Sequence, residues 1–120
     1  KFEFANANPL WRASLDVIDF MPLLSVDYGG GIIITDWYGE ENENEAIKIT
    51  IQFLSNEVRS DALNIKVFKK KCANLINCKV IQSQSDINQE LRVAILKRAA
   101  QYKTADIEKN RKEYRIKDLN

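Results

Sequence analysis

Two periods organise the apolar residues of this chain. Over residues 47–53, Ile47, Ile49, Ile51 and Phe53 alternate with Lys48, Thr50 and Gln52. Successive side chains of a strand point to opposite faces, so a period of two predicts a half-buried strand with one wet face. Leu63, Ile65 and Val67 alternate with Asn64, Lys66 and Phe68 and predict another strand, which runs into Lys69, Lys70 and Lys71. The stretch 32–38, Ile-Ile-Ile-Thr-Asp-Trp-Tyr, is β-branched or aromatic at nearly every position. A run apolar on both faces suggests a strand covered on both sides, entered through the three glycines at 29–31. Val80 and Ile81, within 78–82, supply a short fourth strand.

The other period is helical. Trp11, Leu15 and Ile18 share one face, with Leu10 and Val17 on its flanks. Asn8 is placed to cap the first free amides, and Pro9 suits the first helical position because its missing N–H would have no partner there. Pro22 is expected to end this helix near Phe20 and Met21, leaving residues 23–28 as an extended connection. Ile87, Leu91, Ile95, Ala99 and Tyr102 form the stripe of a last helix. Ser85 and Asp86 open it, and Gln89 completes a capping-box pattern. Residues 104–120 carry nine charges and either extend that helix or fray, with fraying expected at the end.

Successive strands joined by short polar turns argue for an antiparallel meander. The expected fold is therefore α+β: a two-layer domain with an antiparallel four-stranded sheet and the N- and C-terminal helices on one face. One domain over residues 8–103 is expected, with an extension at 1–7 and a charged tail at 104–120. The longest apolar run falls far short of the roughly 20 residues a membrane-spanning helix needs. Because the chain begins at Lys1 rather than Met, a segment upstream is expected to have been removed, which leaves export open.

Charge adds an asymmetry that the net value of +1 conceals. Residues 1–61 hold 4 basic and 11 acidic groups, whereas residues 62–120 hold 14 basic and 6 acidic. Such halves attract one another within a fold, meet head to tail between copies, or present a basic face to an anionic surface.

Histidine is absent, which removes the commonest general base near neutral pH and excludes Ser-His-Asp and Cys-His arrangements. Two cysteines without histidine cannot make a four-ligand zinc site in one chain. No metal and no cofactor is expected.

Asp36, between an aliphatic run and the rings of Trp37 and Tyr38, is the acid expected nearest the core. Desolvation there would raise its pKa and suit it to proton transfer. The plainer reading is a carboxylate that accepts backbone amides and fixes the strand end. A hydrolase would need a second acid, Glu57 or Asp61, within about 5–10 Å. Glu40, Glu41, Glu43 and Glu45 lack the spaced ligands and central glycine of a calcium loop and read as a solvated turn. Lys66, Lys69, Lys70, Lys71 and Lys79 make a local basic patch, to which Arg92, Lys97, Arg98, Lys109, Arg111, Lys112 and Arg115 add charge. Nucleic-acid readout would also want exposed aromatics, and few are available, so nucleic acid is not the expected partner; binding of an anionic ligand, nucleic acid or lipid, through the basic C-terminal half stands as an alternative reading. Cys72 and Cys78 flank a short turn; they are a candidate disulfide in an oxidising compartment and two reduced thiols in the cytosol, and the spacing leaves their redox state open.

Three segments carry a resemblance: LWRASLD at residues 10–16, leading to Phe20-Met21-Pro22-Leu23; GIIITDWY at 31–38; and RSDAL at 59–63. Together they resemble an uncharacterised Gram-negative envelope family, a domain of unknown function whose members look like lipoproteins. The resemblance spans roughly residues 8–103; Cys72, Cys78 and the tail after Lys103 lie outside its pattern. It implies the periplasmic side of the outer membrane, with membrane association only through a lipid anchor upstream. It carries no catalytic residues; Trp11, Arg12, Asp36 and Trp37 serve packing and hydrogen bonding equally well. A looser likeness, to small α+β domains in accessory lipoproteins of outer-membrane assembly, does not fix function. The expectation is a non-enzymatic module that binds a protein partner or itself, with Trp11, Arg12, Asp36, Trp37 and Tyr38 as candidate binding residues.

Overall fold

A computed structural model of the 120-residue chain describes residues 8–39, 44–74, 76–83 and 86–118. Helix α1 spans Pro9–Val17, strands β1 to β5 span Leu23–Asp27, Ile32–Thr35, Glu45–Phe53, Leu63–Cys72 and Cys78–Gln82, and helix α2 spans Ile87–Asp118. The strands form one antiparallel sheet in the order β1-β2-β3-β4-β5. The fold is thus α+β, but the sheet has five strands rather than four. The fifth is the segment expected to be a connection. Its residues are all exposed and show no period, so only pairing with β2 makes it a strand.

That pairing depends on the turn at residues 28–31. Gly31 adopts φ 66°, a left-handed conformation that costs glycine little, and its N–H bonds Tyr28 O at 3.1 Å. Asp27 Oδ1 accepts the Gly30 N–H at 2.9 Å.

At the start of α1, Asn8 Oδ1 accepts the amides of Leu10 and Trp11 at 3.0 and 3.2 Å, with Pro9 in the first turn. The helix stops at Val17, earlier than Phe20, and Met21 N closes a turn onto Ile18 O. Ser85 lies outside the described residues, so of the pattern expected to open α2 only Asp86 and Gln89 are described. From Ile87, α2 runs without a break through the charged residues to Asp118. At 32 residues it is about 48 Å long, yet no described helix is apolar enough to cross a membrane.

Both helices lie on one face of the sheet. Leu10, Ala13 and Ile18 of the N-terminal segment, Ile33, Ile49, Ile51, Leu63, Ile65 and Val67 of the sheet, and Ile95 and Ala99 of α2 form one buried cluster. Each large aliphatic side chain so buried contributes roughly 1.5–3 kcal/mol. The outer edge of β4 below β5 is closed by α2: Asn88 Nδ2 donates to Ile65 O at 3.0 Å, and Arg92 donates to Ser60 O and Leu63 O at 2.6 Å each. The opposite face of the sheet, with Ile32, Ile34, Lys48, Thr50, Lys66 and Lys70, has no described helix against it. Strand β2 is therefore buried at Ile33 and Thr35 but only half-buried at Ile32 and Ile34, not covered on both sides.

A bulged strand end and a lysine-walled depression

The GIIITDWY segment is regular only as far as Ile34, which pairs with Thr50. The ladder to β3 resumes at a bridge between Tyr38 and Ile47, whose two backbone hydrogen bonds are each 2.9 Å. Ile49 N donates to Thr35 Oγ1 at 2.9 Å. Three residue steps from Thr35 to Tyr38 therefore face two from Ile49 to Ile47, which is the count of a β-bulge. The buried Thr35 hydroxyl serves the amide that the bent backbone would otherwise abandon.

The bulge decides which way the aromatics face. Simple alternation from Thr35 would put Trp37 on the helix side and Tyr38 on the open side. Instead Tyr38 stands beside Ile47, and Trp37 lies under the ammonium groups of Lys70 and Lys48, 4.6 and 5.7 Å from its ring centre. Such cation–π contacts are worth about 0.5–1 kcal/mol each when exposed. Phe20 meets Tyr38 edge-on, with ring centres 5.6 Å apart.

Asp36 is exposed rather than held near the core. Its Oδ1 accepts the Trp37 N–H at 2.8 Å, and its own N–H bonds Pro22 O at 2.9 Å. Glu57 and Asp61 do not approach it. Both pair with Arg59, Asp61 at 2.7 Å, in the connection that leaves β3 at Phe53. Nor does the structure join the two halves of the candidate binding set. Trp11 packs on Tyr28 and Phe53, with ring centres 5.0 and 5.1 Å away, whereas Trp37 sits beside Lys48. Five residue steps along β3 separate Phe53 from Lys48, or about 17 Å. Arg12 lies over the Tyr102 ring at 4.0 Å and pairs with Asp106 at 3.3 Å, a contact that ties α1 to α2.

Beneath that contact, Asp16 accepts hydrogen bonds from Tyr102 Oη and, at 3.1 Å, from Arg98 Nε. The Tyr102 hydroxyl, then the Arg98 guanidinium, hold the Asp16 carboxyl below its ordinary value. Asp16 lies on α1 and Arg98 and Tyr102 on α2, so these contacts clamp the two helices together.

The basic patch divides between the two faces. Lys66 and Lys70 take the open-face positions of β4, while Lys69 and Lys71 share the parity of Leu63, Ile65 and Val67 and point to the helix side. There the sheet outruns its helices. Register places Ile47, Lys69 and Ile81 abreast, and Glu45, Lys71 and Lys79 in the next row. With Tyr38 and Gly39 they line a depression of about 550 Å³ whose described walls come only from strands and the 38–39 segment. Gly39 is required by close packing, since a Cβ there would lie 2.4 Å from Glu45 O. Lys71 pairs with Glu45 at 3.7 Å; Glu40, Glu41 and Glu43 lie outside the described residues. This depression was not read from the sequence, although the parity of Lys69 and Lys71 in the β4 alternation was a signal for it.

Cys72 and Cys78 are register partners across β4 and β5 and form a disulfide. Asn74 Oδ1 organises the enclosed turn by accepting the amides of Ile76 and Asn77 at 2.9 Å each. Among the described residues, no three Cys, Asp or Glu side chains gather as a metal site would require.

No solved structure matches the chain. An uncharacterized protein of Rickettsia prowazekii, RP420, is 42% identical over 66 residues, which cover 54% of this chain and 40% of that protein. The chain thus spans well under half the length of this curated relative. The sequence pattern of a domain of unknown function, DUF3576, matches residues 4–104, which takes in both helix–sheet layers and the bulge, and the chain belongs to this DUF3576 family.

Proposed function

We propose that this domain is a non-enzymatic protein-interaction module of the cell envelope and that it associates with itself through the edges of its sheet. The observation that carries the reading is the outer edge of β1. All five of its residues are exposed, Leu23, Leu24 and Val26 among them, and no described strand pairs with that side. Strand β5, at the other edge, is also exposed throughout and carries Val80 and Ile81. Unpaired edges with apolar side chains are templates for strand addition. Asp19, Asp27 and Asp36 flank the first edge, and Lys69, Lys71 and Lys79 flank the second, so a head-to-tail contact joins opposite charges where a β1–β1 contact would join like ones. The separation of Asp36 from Glu57 and Asp61 favours binding over hydrolysis. The Cys72–Cys78 disulfide supports an oxidising compartment, as does the resemblance to envelope lipoproteins.

Sedimentation velocity tests the reading. Association is expected in low salt and should weaken in high salt, where exposed charges are screened. Leu24→Lys with Val26→Lys should abolish it while leaving the circular dichroism spectrum unchanged. A strict monomer at every salt and protein concentration would overturn the proposal.

A further inference from the structure

We infer that the depression between β3, β4 and β5 binds a single-chain anionic amphiphile: an alkyl chain with one carboxylate or phosphate head. This site stands whether or not the chain self-associates. Its floor and walls are chemically divided by register. The row Ile47–Lys69–Ile81 supplies two aliphatic side chains, and Tyr38 adds a ring beside Ile47. The neighbouring row Glu45–Lys71–Lys79 supplies charge. A volume of about 550 Å³ lies inside the range of about 300–1,000 Å³ common to small-molecule sites.

The lysines explain why the occupant is an anion. Among the described residues only Glu45 is a carboxylate in the lining, and it pairs with Lys71. Lys69 and Lys79 form no ion pair with any described residue. Lys79 faces Lys71 directly across the ladder and Lys69 lies one row away on the same face, so like charges gather there and a bound anion offsets them. The aliphatic side chains explain why the anion carries a tail. Ile81 is 62% exposed, on the face where the same strands bury Ile49 and Val67 one row away. Covering its side chain with an alkyl group removes that apolar surface from water, which is favourable. A nucleic acid fits less well, because the ring of Trp37 lies on the other face under Lys48 and Lys70 and leaves one tyrosine for stacking.

The test titrates the full chain with laurate below its micellar concentration, with dodecyl maltoside and inorganic phosphate as probes lacking the charge or the tail. Methyl and aromatic resonances of Ile47, Ile81 and Tyr38 are followed. Laurate is expected to shift these resonances saturably, and neither control should do so. Ile81→Gln, and separately Lys69→Gln with Lys79→Gln, should each weaken laurate at least about tenfold. Val80→Gln, one residue away on the opposite face, should leave it unchanged, and thermal melts establish that every variant folds. No saturable shift by about 1 mM laurate, equal binding of dodecyl maltoside or of phosphate alone, or equal losses for Val80→Gln and Ile81→Gln would each overturn the inference.

Discussion

Thr35→Val and Asp36→Asn, adjacent substitutions, should have opposite standing in this fold. The Thr35 side chain is fully buried, and its Oγ1 accepts the amide of Ile49, itself fully buried, at 2.9 Å. Valine has nearly the same shape without the acceptor. The orphaned Ile49 amide then loses its partner without regaining water, at a cost of about 1–3 kcal/mol, of which the added methyl recovers a fraction. A net loss of about 1–2 kcal/mol corresponds to a melting temperature lower by roughly 4–8 °C in a domain of this size. Asp36 is exposed, and its amide analogue still offers an oxygen to the Trp37 N–H. Asp36→Asn should therefore stay within about 0.5 kcal/mol of the parent protein. Urea unfolding measures both. Thr35→Ser is the control: it keeps the acceptor but deletes a buried methyl worth about 1 kcal/mol. Amide exchange then separates two variants of similar stability, because Ile49 should lose protection in Thr35→Val and keep it in Thr35→Ser. Thr35→Val within 0.5 kcal/mol of the parent, or Asp36→Asn costing as much as Thr35→Val, would refute the bulge as the structural keystone of this segment.

Two other tests probe contacts outside the bulge. Reducing Cys72–Cys78, which closes a loop with a sequence separation of 6, should destabilise the chain by at most about 2 kcal/mol on the chain-entropy account, read as the difference between melts with and without reductant; an unchanged melt would show that the turn is held by Asn74 alone. Because the folded-state pKa of Asp16 is depressed from 3.8, chiefly by Tyr102, its contribution is present above the unfolded value and lost as pH falls through the lower folded one. Asp16→Asn should thus cost up to about 1 kcal/mol at neutral pH, small because the pair is solvent-screened, and the gap between variant and parent should close below pH 4 rather than at alkaline pH. A gap that persists in acid would assign the cost to packing.

How legible each part of the fold was depends on the distance over which its cause acts. Strands β3 and β4 and the buried stripe of α2 were plain because period alone reports which face meets the core. The start of α1 was equally plain, since a cap and a proline act within four residues. Strand β1 was hidden because Leu23–Asp27 buries neither face; its status as a strand resides in hydrogen bonds to β2. The same limit applies to the candidate site. Asp36, Trp37 and Tyr38 stand out in the sequence, but which of them meets Ile47 and which meets Lys70 depends on one extra residue in the ladder. Trp11 packs on Phe53 and Arg12 on Tyr102, away from Trp37, because standing out together in a sequence does not place residues side by side in space.

Taken alone, the order of residues determined the α+β class, the side of the sheet that is apolar, the want of a histidine-based catalyst, and the uneven charge of the two halves. All of these follow from identity and local spacing, and the point about histidine concerns these 120 residues alone. Tertiary structure alone decided that five strands rather than four pair, and that Tyr38 rather than Trp37 joins Ile47 and Ile81. The physical reason is the pleat: side chains alternate along a strand, so a single bulged residue exchanges the faces of everything beyond it, and only the partner strand records where that residue was inserted.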